Sequence, residues 1–273
     1  MGDDYELVVV STTGDRKLEV PIWKMGGKGI FTTEVQQALL DGRAEVAVHS
    51  AKDLPSSTPD ELVIGAFPER EDPRDALVGT SLADLPTGAR VATGSVRRRA
   101  QLAFVRPDLT FADLRGNIET RVKKAADHGA AVVAYAALIR SGLAAAAADV
   151  LDPSVMLPQV AQGALAVECR GDDTATVERL AVIDDLEVRR TVTAERGFLA
   201  ELGGDCTLPA GALAAIDGEG VAIDAILAAL DGHVVLRHSA RGDDPEGVGR
   251  RVARELVEDK GGRSLLADPG VDR

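Results

Sequence analysis

Cysteine is nearly absent from this 273-residue chain: Cys169 and Cys206 are its two thiols. Two cysteines in so long a chain make no disulfide framework. Neither belongs to a CxxC or Cys/His cluster and the four histidines are scattered, so no metal site is expected. Long apolar runs are missing too. The longest spans residues 130–139, about half of the roughly 20 residues a membrane helix needs. The acidic start MGDDYELVVV does not read as a signal peptide, and a reducing cytoplasm is the expected compartment. Positive charge is in deficit, with a net of −13. That excludes a general nucleic-acid or anionic-membrane binder, because both need a positive surface. It still permits a local cluster of basic groups.

What is present is an alternation of strand and helix patterns through the first two thirds. ELVVVST, EVAVHS and LVIGAF are predicted strands. Phe31, Val35, Ala38 and Leu39 repeat at helical spacing, with Thr33 and Gln36 as a capping box and Gly42 as the stop. FPEREDPRDALV, charged and carrying two prolines, reads as a linker or crossover. The pattern then repeats: strand ARVATGS, a helix from residue 95 to about residue 105, strand LTFADL, a helix carrying Ile118, Val122, Ala125 and Ala126 with Asn117 as N-cap, and a buried strand AAVVAYAAL. ALAVECR is one more strand, returning to the first unit. Near-continuous apolar strands between helices predict a parallel-rich α/β sheet covered on both faces.

From about residue 186 the composition shifts. Val188, Val192, Glu195, Leu199 and Leu202 share one helical face, and Gly203-Gly204 stops that helix. A strand meander follows, turning at Asp217-Gly218 and Asp231-Gly232, then a last helix carrying Val248, Val252 and Leu256. This reads as a separate α+β domain.

Ligands of open α/β sheets bind beyond the C-terminal ends of strands, and three polar stretches fall there. Ser50, Lys52 and Asp53 follow EVAVH. In ATGSVRRRAQL, Ser95 caps a helix whose first turn holds Arg97, Arg98 and Arg99; arginines there oppose the helix dipole unless an anion neutralises them. In LRGNIETRVKK, Arg115 leaves a strand, and Arg121 and Lys124 share a helix face. Taken singly, each cluster reads as a solvated face, Lys52-Asp53 as an exposed pair worth roughly 0–1 kcal/mol, Ser95 and Asn117 as simple caps, and Cys169 as core filler. Their coincidence at strand ends favours a ligand with several carboxylates, which arginine grips bidentately.

At these residues the sequence resembles a known family. GGKGIFTTEVQQALLDGRAEVAVHSAKDLP, EREDPRDALV, SVRRRAQL, LRGNIETR, LPQVAQGALAVECR and TAERGFLAELGGDCTLPAG, in that order, resemble the porphobilinogen deaminases, also called hydroxymethylbilane synthases. The resemblance implies an α/β fold of two periplasmic-binding-protein-like (type II) lobes plus a small C-terminal α+β domain. Lobe one would take residues 1–70 and 163–183, lobe two residues 74–160, and the C-terminal domain residues 186–273. It implies a transferase that joins four porphobilinogen molecules head to tail on a covalently held dipyrromethane, releasing ammonia and then hydroxymethylbilane. Asp53 matches the catalytic aspartate, set to stabilise the cation formed as ammonia leaves. Cys206 matches the thioether attachment point. Lys28, Ser50, Lys52, Thr93, Ser95, Arg97, Arg98, Arg115 and Arg121 match positions that hold the cofactor and the growing polypyrrole. No metal, nucleic acid or membrane enters, and a monomer is implied.

The sequence departs from the family pattern in places. Roughly the first 30 residues of that pattern, a strand and a G-T-R-x-S-x-L-A segment, are absent ahead of ELVVVSTTGD, which would uncover apolar surface at about 25 cal/mol per Å². Gly94 stands where serine is usual, Ala161 where glycine is usual, and Asp205 precedes Cys206 in place of glycine. A carboxylate beside the thiol raises its pKa and slows its alkylation. The competing expectations are a non-catalytic two-lobed binder of an anionic small molecule and an inactive truncated form of the enzyme.

Overall fold

The structure, a computed structural model, describes residues 5–12, 32–55, 57–203 and 208–267. Its described strands form three sheets. The first contains β1 (Val46–Ser50), β2 (Leu62–Ala66) and β8 (Leu165–Arg170), in the order β1-β8-β2, with helix α1 (Thr33–Leu40) packed against it. The second contains β3 (Asp75–Val78), β4 (Arg90–Ala92), β5 (Thr110–Ala112), β6 (Ala130–Ala134) and β7 (Ala147–Val150), in the order β5-β4-β6-β3-β7. Helices α2 (Val96–Val105), α3 (Ile118–Lys124) and α4 (Tyr135–Arg140) connect its strands, and α5 (Thr174–Ala181) follows β8. The third is a meander of β9 (Ala210–Asp217), β10 (Gly220–Ala228) and β11 (Val235–Gly242), packed on α6 (Leu186–Glu201) and α7 (Pro245–Glu258); a short helix α8 (Arg263–Ala267) ends the described chain.

The sheets are less parallel than the sequence pattern predicts. β8 lies between β1 and β2 and is antiparallel to both. In the second sheet β4 runs parallel to β5 and β6, whereas β3 is antiparallel to β6 and β7. The reason is the exchange of chain between the two sheets. Residues 67–74 carry the chain out of the first sheet into β3, residues 151–164 bring it back into β8, and each arriving strand is inserted against the local direction. The last four residues of FPEREDPRDALV are thus a fully buried strand, while the rest is the crossover.

Other sequence expectations are corrected as well. Residues 5–12 form no ladder, and Tyr5 (85%), Leu7 (74%) and Val9 (88%) are exposed. An apolar run becomes a strand only when it enters a ladder with a neighbour's N–H and C=O groups. The cap of α1 is Thr32, without a side-chain bond, and the Gln36 amide reaches Glu168 instead of closing a capping box with Thr33. AAVVAYAAL changes from strand to helix after Ala134. The N-caps Ser95 and Asn117 hold: their side chains accept from Arg98 N and Thr120 N.

The core binds the third unit to the first. Phe198, Val192 and Ala194 of α6 share one buried cluster with Ala51 and Leu54, just beyond β1, and with Val160 and Ala161 of the return crossover. Fully burying a side chain such as Phe198 contributes about 2 kcal/mol. Helices α6 and α7 cross so closely that a Cβ at Gly249 would sit 1.9 Å from Ala194 O, and one at Gly197 would sit 2.7 Å from Glu246 O. This contact fixes the direction in which α6 presents Glu195 and Arg196.

Candidate active site

Strand β1 ends at Ser50, and residues 51–53 make a single 3-10 turn. Ala51 N donates to Ala164 O (3.0 Å) and Leu54 N to Ala51 O (3.3 Å). Ala51 and Leu54 are buried. In a 3-10 turn, residues three apart share a face, so these two anchors leave Lys52 and Asp53 on the open side. Leu54 takes the extended conformation that a following proline favours, and the turn stops there. That is how a core strand comes to present an acid and a base side by side.

The two groups sit in a strong mutual field. Solvent reaches Asp53, yet the surrounding protein withholds enough water to raise its carboxyl above the ordinary carboxylate range, against the pull of Lys52, Arg121 and His49. Burial lowers the Lys52 ammonium to about 8; Asp53 opposes this, and Arg98 adds to it. Lys52 Nζ donates to Gln162 Oε1 at 3.2 Å.

The arginines divide into two groups. Arg97 and Arg98 are buried around Asp75. Arg97 Nη1 lies 2.8 Å from Asp75 Oδ2 and also donates to Leu157 O (2.5 Å). Arg98 Nε donates to Asp75 Oδ1 (2.9 Å) and Nη1 to Val132 O (3.1 Å). Burial pushes the Asp75 carboxyl up, but the two guanidiniums together hold it well below the ordinary range. Arg121, whose Nε donates to Gly116 O (2.8 Å), is lowered first by burial, then by Arg98 and Arg115, with Asp53 opposing. Arg115 is likewise lowered by burial, with Asp113 opposing. Asp53 thus lies in the field of Lys52 and Arg121, while Arg98 acts on both of those cations and Arg115 on Arg121. Thr93 Oγ1 accepts from Ser95 N (3.2 Å) beside them. At Gly94 the backbone runs so near Leu114 O that a Cβ would lie 2.8 Å from it, leaving no room for the serine side chain usual there. Lys28 and Cys206 lie outside the described residues.

The structure adds residues that sequence reasoning passed over. Gln162 is fully buried; its Nε2 donates to Pro73 O and Asp75 Oδ1 (2.8 Å each), and its Oε1 receives Lys52 and Arg98. Its signal was a single polar side chain in the apolar stretch VAQGA. Arg140, the last residue of α4, donates to Gly163 O (2.6 Å) and lines a cavity of about 220 Å³ with Ser50, Lys52 and Ser141. Reading AAVVAYAAL as one strand concealed it. Glu195, fully buried, pairs with Arg70 (2.7 and 3.1 Å) and accepts from Ala161 N (2.6 Å) and Ala214 N (2.9 Å). It thereby holds Ala161 in the left-handed conformation (φ 59°) that a glycine adopts without strain. A larger cavity of about 730 Å³ lies elsewhere, over β10, β11 and α7, and involves none of these residues.

Fold and site define a mixed α/β protein that gathers cations around one carboxylate, suited to a small molecule bearing several carboxylates. Residues 2–178 match the family model described as "Porphobilinogen deaminase, dipyromethane cofactor binding domain", and residues 189–258 match "Porphobilinogen deaminase, C-terminal domain". The chain is 47% identical over 265 residues to a porphobilinogen deaminase of Roseiflexus sp. (strain RS-1), covering 94% of this chain and 87% of that one. It is 46% identical over 279 residues to one from Acidothermus cellulolyticus, covering 98% and 84%. A solved arginine-specific periplasmic binding protein of Salmonella typhimurium overlays 54% of this chain and 68% of its own at a TM-score of 0.31 and 17% identity, too loosely to bear on the assignment. The chain belongs to the porphobilinogen deaminase family. Its activity is that of a hydroxymethylbilane synthase, a transferase of tetrapyrrole biosynthesis with a dipyrromethane cofactor.

Proposed function

We propose that Asp53 is the catalytic carboxylate of this transferase and Cys206 the cofactor's attachment point. In this reading Lys28, Ser50, Lys52, Thr93, Ser95, Arg98, Arg115 and Arg121 hold the carboxylates of the cofactor and growing chain, and Arg140 joins them. The observation that carries it is the 3-10 turn that sets Asp53 in the field of Lys52 and Arg121, with Arg98 acting on both cations. Every pyrrole brings two carboxylates, so this donor set fits the cofactor. Arg97 Nε and Nη2, buried without a hydrogen-bond partner among the described residues, are further donors of the right kind.

When bound, dipyrromethane supplies the pyrrole end to which each new unit is joined. Asp53 faces the incoming pyrrole N–H and stabilises positive charge as ammonia departs. Its raised carboxyl would suit it to take up a proton released in the coupling. Lys52 and Arg121 orient substrate carboxylates. We assign residues 1–70 and 163–183 to lobe one, 74–160 to lobe two and 186–273 to the C-terminal domain, in keeping with the separate sheets. We place the reaction in the cytoplasm, where a thiol stays free for alkylation. We take the working unit to be a monomer, since one chain supplies every residue in this reading.

The test is intact mass of the purified chain beside a Cys206→Ser variant, both expressed with ample porphobilinogen. The expected result is an added mass of two linked pyrroles on the first and none on the second. An unmodified chain in both would overturn the reading.

A further inference from the structure

The C-terminal unit touches the catalytic turn directly. Arg196 of α6 sends Nη2 to Pro55 O, 2.9 Å away and two residues past Asp53. Burial lowers this guanidinium, and Glu168 opposes the shift. Glu168 is itself fully buried: Oε2 meets His49 Nε2 at 3.1 Å, and Oε1 accepts from Gln36 Nε2 at 3.0 Å. His49 lies four residues before Asp53. On the strand side the turn is thus tied to this buried carboxylate by His49, and on its exit side it is held by Arg196, which lies in the same carboxylate's field. Gln159 Nε2 adds a tie to Lys52 O at 3.2 Å. The turn's own closing bond is Leu54 N to Ala51 O, and 3-10 geometry is weak, so its shape depends on the anchors and ties around it.

We infer that Arg196 is a positioning residue for Asp53, so that helix α6 braces the catalytic turn from outside the lobe that carries it. The Pro55 carbonyl, next to the buried anchor Leu54, is where such a brace has leverage. A displacement of about 1 Å at a reacting group is enough for a rate loss near 100-fold. Arg196 touches no substrate in this account; it acts through the backbone. The inference rests on the reading of Asp53 as the catalytic carboxylate.

The test uses the full chain with R196M, R196K and D53N. Amide hydrogen exchange is followed at residues 51–54 and, as a reference, in β6. In R196M the expected result is exchange at 51–54 faster by about tenfold, the worth of one charge-assisted hydrogen bond, with β6 unchanged. The expected kcat loss is roughly 100-fold with KM held within about twofold and the cofactor mass retained. R196K, which keeps a donor for Pro55 O, restores most of both. Unchanged exchange at 51–54 overturns the inference, as does loss of protection in β6, which would mean a general folding role. A rise in KM at constant kcat overturns it too, by making Arg196 a substrate contact. Normal turnover by D53N would instead sink the reading of Asp53, while exchange in R196M still decides whether Arg196 holds the turn.

Discussion

At the scale of single residues, the acid–base pair on the turn sets the pH behaviour. In the proposed role Asp53 works as a carboxylate, and its carboxyl is raised, so activity should be lost as pH falls through a value above the ordinary aspartate range. Lys52 loses its charge above about pH 8, so if it holds substrate carboxylates as proposed, binding should weaken on the alkaline side. A kcat/KM profile of the free enzyme should show both limbs, with the acid limb removed together with nearly all turnover in Asp53→Ala while the cofactor mass stays. Asp75 gives a contrasting case. Its carboxyl is depressed in the folded state, so its contribution to stability is whole above about pH 4, the unfolded value, and is lost as pH falls through the folded one. Asp75→Asn leaves Arg97 and Arg98 buried without their counter-charge and should cost about 3–5 kcal/mol in denaturant unfolding at pH 7. The carboxylate at 53 and the basic clusters were legible because residue type and strand-end position coincide. The sealing of Arg97 and Arg98 on Asp75 was not legible, since Asp75 lies more than twenty residues upstream and meets them only through the pairing of β3 with β6.

At the scale of elements, local chemistry explains the caps and the breaks. Ser95 and Asn117 accept from the third residue onward, as short polar side chains do at helix starts. Where the pattern misled, a neighbour decided. AAVVAYAAL is apolar throughout, so periodicity does not mark the change from β6 to α4, which occurs where pairing with β3 ends at Asp75. ELVVVST has strand composition but forms no ladder. The α6–α7 crossing offers a direct test of how tightly one element fixes another. Gly249→Ala drives a methyl into Ala194 O and should cost about 1–3 kcal/mol, read as a drop of several degrees in a thermal melt. Because α6 carries Glu195 and Arg196, turnover should fall further than the lost stability accounts for.

At the scale of the whole molecule, an acidic chain encloses a basic site. The net charge of −13 keeps polyanions from binding generally, while in the proposed site Lys52, Arg115 and Arg121 would draw carboxylates into one place. Added salt screens that attraction, with a Debye length of about 10 Å at 0.1 M and 3 Å at 1 M. Initial rates in rising salt should therefore show KM climbing several-fold while kcat changes little. A kcat loss at constant KM would point instead to movement of the turn. Glu195 gives the assembly its coherence, since one carboxylate binds Arg70 of the outgoing crossover, Ala161 of the return crossover and Ala214 of β9. The sequence placed Glu195 on a mostly apolar helix face, which hints at a buried partner without naming it.

Periodicity, caps and residue type were enough to establish alternating α/β elements and a later α+β unit and to suggest a carboxylate-binding chemistry around Asp53, because these depend on neighbours within a few residues. Strand direction, the ion pairs that bury Arg97 and Arg98, the gathering of Gln162 and Arg140 beside Lys52, and the reach of Arg196 to Pro55 came from folding. Each joins residues far apart in the chain. Their partners are chosen by which surfaces meet when the sheets exchange strands and α6 packs beneath the turn, and no local pattern encodes that meeting.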